Sequence, residues 1–266
     1  MDWLEALILG IIQGFTEFLP VSSSGHLELG KALLNIEAQE DITFTVVVHG
    51  ATVLSTLVVF FKEVWRLLKG SLQFKWNPET QYVAKIVVSM IPVVIVGLLL
   101  EDYIESFFGG KIQFVGIMLI ITSVLLSMTY FLRNRIMEKK FGYGSAFIMG
   151  IAQAFAVLPG ISRSGATIAT GLLMGNNKKD IAQFSFLMVL VPIIAANIKS
   201  LIGFEGSEMS TAVGSIPLLI GFLAAFLSGW LACSWMVNLV KKGKLIWFAV
   251  YCFVIGSIAI MTGFIA

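Results

Sequence analysis

Long apolar runs fill this sequence, and short charged stretches punctuate them. Residues 42–61, 82–100, 112–132, 181–203, 215–240 and 245–265 each come close to the roughly 20 apolar residues that carry a helix across a bilayer. Two stretches break that pattern. Residues 3–19 stop at Pro20 and resume as a shorter, partly polar run over 23–35; residues 144–159 stop at Pro159 and resume over 164–175. Each reads as a helix, a break and a second helix that dips into the membrane and returns. Broken backbone is tolerated at membrane depth where it faces packed protein or a water-filled cavity. Pro92 and Pro192 fall inside spans, and His49 with Gly50 interrupts the 42–61 run near its outer end.

The charged stretches alternate in sign. Residues 62–81, 133–141, 178–179 and 241–244 are basic; residues 36–41, 101–111 and 204–214 are acidic or lack a basic residue. Lys and Arg mark cytoplasmic loops, which puts the first set inside and the second outside. Every span then joins an outside loop to an inside one. The first broken pair enters from outside and the second from the cytoplasm. The expected fold is therefore all-α and polytopic, with six full transmembrane helices plus two re-entrant broken-helix pairs, in two inverted-topology repeats. Residues 1–266 form one membrane domain, the first repeat over about 1–141 and the second over about 142–266.

Composition agrees. Of 266 residues, 58% are apolar and 13% charged, where a soluble domain has about 25% charged; mean hydropathy is +0.92. No nucleic-acid partner is needed to account for the basic loops, since topology does so. Cys233 and Cys252 sit in apolar runs without ligand spacing and read as buried packing residues. Asp2 and Glu5 replace the basic start of a signal peptide, so none is expected.

The two breaks also share residues. At a shift of 140 positions, Gly10, Gln13, Phe15, Ser22, Ser24 and Gly25 meet Gly150, Gln153, Phe155, Ser162, Ser164 and Gly165; Pro20 meets Pro159 after a one-residue slip. The copies differ where chemistry would sit. The first carries Glu17 and His26, and the second carries Arg163 opposite Ser23. Ionisable groups at membrane depth are costly and usually functional. Gln13 and Glu17, four apart, share a helix face and offer oxygens to Mg²⁺ or Ca²⁺; Glu17 is alternatively a general base. Ser22, Ser23 and Ser24 offer hydroxyls, and His26 follows Ser23 by three residues. Ser162, Ser164 and Gly165 flank Arg163, whose guanidinium suits phosphate. If both serine runs open helices, their N–H groups make anion sites. The assembly suits phosphoryl transfer. The plainer readings are that serines and glycines serve helix packing, that Glu17 and Arg163 form a structural ion pair, that Gln13, present in both copies, is architectural, and that His49 is a hydrogen-bonded packing histidine.

Gln13-x-x-x-Glu17 followed by Phe18-Leu19-Pro20-Val21-Ser22-Ser23-Ser24-Gly25-His26, with Pro159-Gly160-Ile161-Ser162-Arg163-Ser164-Gly165-x-Thr167 downstream, resembles the bacterial undecaprenyl-diphosphate phosphatase family, also called the bacitracin-resistance proteins. The resemblance covers essentially the whole chain. It implies a multi-pass enzyme of the bacterial plasma membrane whose substrate is a polyprenyl diphosphate lipid. It implies release of the terminal phosphate from undecaprenyl diphosphate, recycling of the carrier lipid for cell-wall synthesis, bacitracin resistance, dependence on a divalent cation and a site open to the outer face. Residue by residue, it implies Glu17 as the essential acid, His26 as the essential histidine and Arg163 as the phosphate-binding arginine. Ser22, Ser23, Ser24, Ser162, Ser164 and Thr167 fill the polar positions of the two motifs. Many family members carry Glu at the position of Gln13, so a cation here has one carboxylate fewer; whether Glu17 and Gln13 hold it or it arrives on the diphosphate stays open. The nucleophile stays open among Ser23, water and His26. A transporter or flippase for an anionic lipid or small anion is the alternative, because inverted repeats with broken helices also build transporters. A homodimer is one assembly open to such a chain.

Overall fold

Asp2 opens the first helix. Its carboxylate accepts the N–H groups of Leu4 and Glu5, and Glu5 returns a bond to the Asp2 N–H, a reciprocal cap. Helix α1, Trp3–Phe18, ends at Leu19, which is extended ahead of Pro20 as the proline ring requires. The computed structural model describes residues 1–34, 36, 42–100, 103–104, 107, 111–132, 139–203 and 213–263. Among these the chain forms α2 (Ser23–Leu34), α3 (Ile42–Val59), α4 (Phe61–Ser71), α5 (Pro78–Leu99), α6 (Ile112–Phe131), α7 (Tyr143–Phe155), α8 (Arg163–Leu173), α9 (Lys178–Gly203), α10 (Ser215–Lys241) and α11 (Ile246–Thr262).

Four of these, α5, α6, α9 and α10, are long and apolar enough to cross a membrane. Large apolar side chains such as Leu98, Ile95, Leu219 and Leu227 remain exposed on the long helices, which suits a lipid surround. The molecule is thus an all-helical, multi-pass membrane protein. Helices α3 and α11, read above as full spans, have 18 and 17 residues, about 27 and about 26 Å long against a hydrocarbon core of about 30 Å. The expectation of a basic loop over 62–81 is corrected: residues 61–71 are helical, bent 78° from α3. Phe61, Trp65, Leu68 and Leu72 recur at helical spacing and are exposed, while Lys62, Arg66 and Lys69 lie between them. That amphipathic pattern forms an interfacial helix rather than a loop. Asn77 then caps α5, with Pro78 at its first position, so this helix starts earlier than the apolar run. Most of the acidic stretches and Arg133 and Arg135 lie outside the described residues.

Packing is reciprocal between the halves. Helix α1 packs chiefly on α10, and α7, its counterpart, on α5; α6 packs on α11. Glycine permits both crossings. A Cβ on Gly10 would lie 2.5 Å from the Gly221 carbonyl oxygen, and one on Gly150 would strike the Ser89 carbonyl. At one end the basic turns come together: the Lys139 N–H donates to the Gly175 carbonyl, and Gly243 lies beside the Lys178 ammonium.

The two breaks interlock at the centre. A Cβ on Gly25 would sit 3.0 Å from Gly160 Cα, and one on Gly165 would sit 3.2 Å from Pro20 Cβ. Ser164 Oγ donates to the Leu19 carbonyl, and Thr122 holds both the Gly160 carbonyl and the Ser162 N–H. Gly160 has φ of +98° and would place a Cβ 2.5 Å from the Val115 carbonyl oxygen. Gly160→Ala is therefore expected to cost about 2–5 kcal/mol, from backbone strain and overpacking together. A thermal-unfolding midpoint in detergent, lowered by several degrees, checks this.

Candidate active site

The breaks begin two helices in the same way. Ser22 precedes α2 and accepts the Gly25 N–H at 3.3 Å; Ser162 precedes α8 and accepts the Gly165 N–H at 3.0 Å. Ser22 and Ser24 approach to 3.4 Å, and Ser162 and Ser164 to 3.3 Å. Ser22 takes φ of +71°, a left-handed conformation uncommon for a residue with a Cβ. The expected pair of helix starts is thus present, with Ser23 and Arg163 as the first helical residue of each.

Those two residues converge on Glu17. Arg163 Nη2 donates to Glu17 Oε1 at 2.8 Å, across 146 residues of sequence. Ser23 Oγ donates to Oε2 at 2.5 Å, and the Gln13 amide donates to the same oxygen at 3.0 Å. The Glu17 side chain is 6% exposed and the Arg163 side chain 24%, so the guanidinium keeps contact with open space. Two cavities meet there. One, about 290 Å³, is lined by Ser24, Glu28, Lys31, Thr45, His49 and Arg163. The other, about 260 Å³, is lined by His49, Arg163, Pro192 and Asn197 among others. A third space, about 10 Å³, lies between Glu17, Arg163, Ser164, Thr167 and Ser185, room for about one water.

The remaining motif residues are placed differently. Thr167 donates to the Arg163 carbonyl and pairs with Ser185, which braces α8 against α9. Ser22, Ser162, Gly25 and Gly165 serve the caps and the close approach of the breaks. His26 does not join Glu17. Its Nδ1 donates to the Ser22 carbonyl at 2.8 Å, so Nε2 accepts from the Tyr251 hydroxyl at 2.9 Å, and its ring stacks on Tyr251. It lines an apolar groove of about 590 Å³ with Ile11, Phe15, Leu33, Tyr251 and Ile258. Helix α2 is therefore a wall, with Ser24, Glu28 and Lys31 on the polar cavity and His26, Leu29 and Leu33 on the groove.

The histidine beside Glu17 is instead His49, whose Nε2 lies 3.9 Å from Oε2. Sequence reasoning read it as a packing residue. Its signal was a lone imidazole in an otherwise apolar span. Tyr251 left no signal at all. Both cysteines are buried and free, as expected.

A protein-held divalent cation does not fit Gln13 and Glu17. The Gln13 amide turns its N–H toward the carboxylate, and Arg163 already neutralises Glu17. No three His, Cys, Asp or Glu converge among the described residues. The buried Gln13 Oε1 has no hydrogen-bond partner, but one amide oxygen is a weak donor set for a hard cation.

The fold and site together define a helical membrane protein with a carboxylate–hydroxyl pair and a partly exposed arginine bonded to that carboxylate at the meeting of two broken helices. Residues 6–258 match the bacitracin resistance protein BacA family. A relative from Bacteroides thetaiotaomicron named undecaprenyl-diphosphatase is 54% identical over 263 residues, covering 98% of this chain and 99% of the relative. One of the same name from Christiangramia forsetii is 56% identical over 264 residues, 98% of each chain. Another, from the more distant Methanosphaera stadtmanae, is 37% identical over 277 aligned positions, again 98% of each. The chain belongs to the BacA family.

Proposed function

We propose that this chain hydrolyses undecaprenyl diphosphate to undecaprenyl phosphate and inorganic phosphate, recycles the carrier lipid for cell-wall synthesis and confers bacitracin resistance. The family and the shared name of its relatives support this. One observation carries the chemistry: Ser23 Oγ is hydrogen-bonded to a Glu17 carboxylate whose other oxygen is held by Arg163 from the opposite half.

The proposed reaction runs in two steps. Arg163, with N–H donors left over from its bond to Glu17, and the N–H groups opening α2 and α8 hold the terminal phosphate. Ser23 Oγ attacks phosphorus and gives its proton to Glu17 as the bridging P–O bond breaks. Undecaprenyl phosphate leaves with that electron pair, and Glu17 gives up the proton it took, so that it is ionised again before the second step. Water then attacks the phosphoserine, losing its proton to Glu17, and phosphate departs as Ser23 regains a proton. Positioning and charge stabilisation do most of the work, as usual for phosphoryl transfer. The divalent cation is assigned to the substrate, as the counter-ion of the diphosphate, which removes the need for a second carboxylate at Gln13.

The finer topology belongs to the same proposal: six spans, two inverted repeats divided near residue 141, and a site open to the outer face of the bacterial plasma membrane. The reciprocal packing of α1 on α10 and α7 on α5 supports the repeats. Thr45 near the start of α3 and Asn197 near the end of α9 line the cavities, next to the stretches that charge assigns outside. The basic turns gathered at one end support the cytoplasmic assignment.

Ser23→Ala is expected to lower phosphate release from undecaprenyl diphosphate by about 10³-fold or more and to abolish a phosphoserine adduct seen by mass spectrometry of rapidly quenched protein. Full turnover by Ser23→Ala would replace the serine with water as the attacking group. Lipid flux across liposomes without phosphate release from the wild type would replace the phosphatase with a flippase, the reading that broken-helix repeats also favour.

A further inference from the structure

We propose that His49 is a proton-relay residue of this reaction, acting through Glu17. The inference rests on the phosphatase reading. His49 Nδ1 lies 2.8 Å from the Thr45 carbonyl oxygen. A carbonyl only accepts, so Nδ1 carries a proton, and in the neutral imidazole Nε2 keeps its lone pair. That lone pair faces Glu17 Oε2 at 3.9 Å, the oxygen that accepts the Ser23 hydroxyl. A lone pair facing a carboxylate oxygen is unfavourable without a proton between them, and the arrangement becomes attractive once Glu17 has received one. The His49 side chain is 19% exposed and lines both cavities that Arg163 lines. The motif's own histidine is committed elsewhere: both ring nitrogens of His26 are occupied, one by Tyr251. The other charged groups on the cavity walls are Arg163, Lys31 and Glu28.

The balance is as follows. As the Ser23 Oγ–P bond forms, the hydroxyl proton passes to Glu17 Oε2 and on to His49 Nε2. Glu17 is thereby returned to its ionised form opposite Arg163 before the second step. There water's proton passes to Glu17 and from it to Ser23 Oγ as the P–Oγ bond breaks. The proton held by His49 leaves with inorganic phosphate. The sum is consumption of one water, with Ser23, Glu17 and His49 restored.

His49→Gln keeps a hydrogen-bonding amide at similar reach but cannot carry the proton. With undecaprenyl diphosphate and the full chain in detergent, it is expected to lower kcat about 10²-fold with KM within about threefold. Wild-type kcat in His49→Gln would overturn the relay and leave a hydrogen-bonding role. A parallel rise in KM and fall in thermal stability, with kcat kept, would likewise show a structural role. Because a span variant can fail to fold, the wild type supplies a second test. Its kcat measured across mixtures of H₂O and D₂O is expected to curve downward, as two protons in motion require, and a straight line would contradict the relay. Absence of phosphate release by the wild type would instead remove the phosphatase reading itself, before any His49 variant is compared.

Discussion

Glu17→Gln is expected to reduce kcat for phosphate release by about 10³-fold, within the range that general acid–base groups contribute, while KM stays level or falls. The amide matches the carboxylate in shape, so the fold around it changes little. It cannot take the Ser23 proton, and its charge is gone. Arg163 then loses its charged partner, and its guanidinium is freer to hold the substrate's phosphates tightly. A drop in kcat with tighter binding is an unusual combination, which distinguishes this account from simple loss of structure. The unliganded protein is expected to lose about 3 kcal/mol at most, the lower end for breaking a buried pair, because Arg163 retains partial exposure. Adding substrate or inorganic phosphate should recover much of that loss. Steady-state kinetics beside thermal unfolding with and without phosphate measures both effects.

Arg163→Lys is the second large effect, and its sign in KM is opposite. The ammonium keeps the charge but not the planar fork. Arg163 bonds Glu17 through Nη2 and lines both cavities. A single ammonium has no second nitrogen with which to do both. Turnover is expected to fall about 10²-fold, the scale on which removal of one charge-stabilising donor acts, and KM to rise. Arg163→Ala removes charge and fork together and is expected to fall further. Equal activity of Arg163 and Lys at this position would mean that the cation only neutralises Glu17.

Much of this site is legible in the chain because its signals are local. Pro20 and Pro159 end helices, Ser22 and Ser162 cap the next ones, and Glu17 and Arg163 stand out against apolar neighbours. Their meeting is also the expectation that the shared residues of the two breaks carry, since broken helices of a repeat fold tend to meet near its centre. What was not legible depends on helix rotation and distant partners. His26 follows the serine run, but its ring is held by Ser22 and by Tyr251, 225 residues away, on the groove side. His49 reaches Glu17 because α3 packs beside α1 with that face inward, and nothing in the 42–61 run sets that rotation. Helix α4 was misread for another reason. Its lysines and arginine were weighed as topology markers, although Phe61, Trp65, Leu68 and Leu72 carry the helical period. Gln13 is legible in part: its shared face with Glu17 follows from the spacing of four, whereas the direction of its amide, which donates to the carboxylate, does not.

The most direct measurement is phosphate release from undecaprenyl diphosphate by the purified wild type, Glu17→Ala, Arg163→Ala and the double variant. If the two halves build one site, each single change abolishes most turnover and the double variant is no worse than the poorer single, as for residues that act as a unit. Effects that multiply, or release that survives both changes, would place the chemistry somewhere other than the junction of the two breaks.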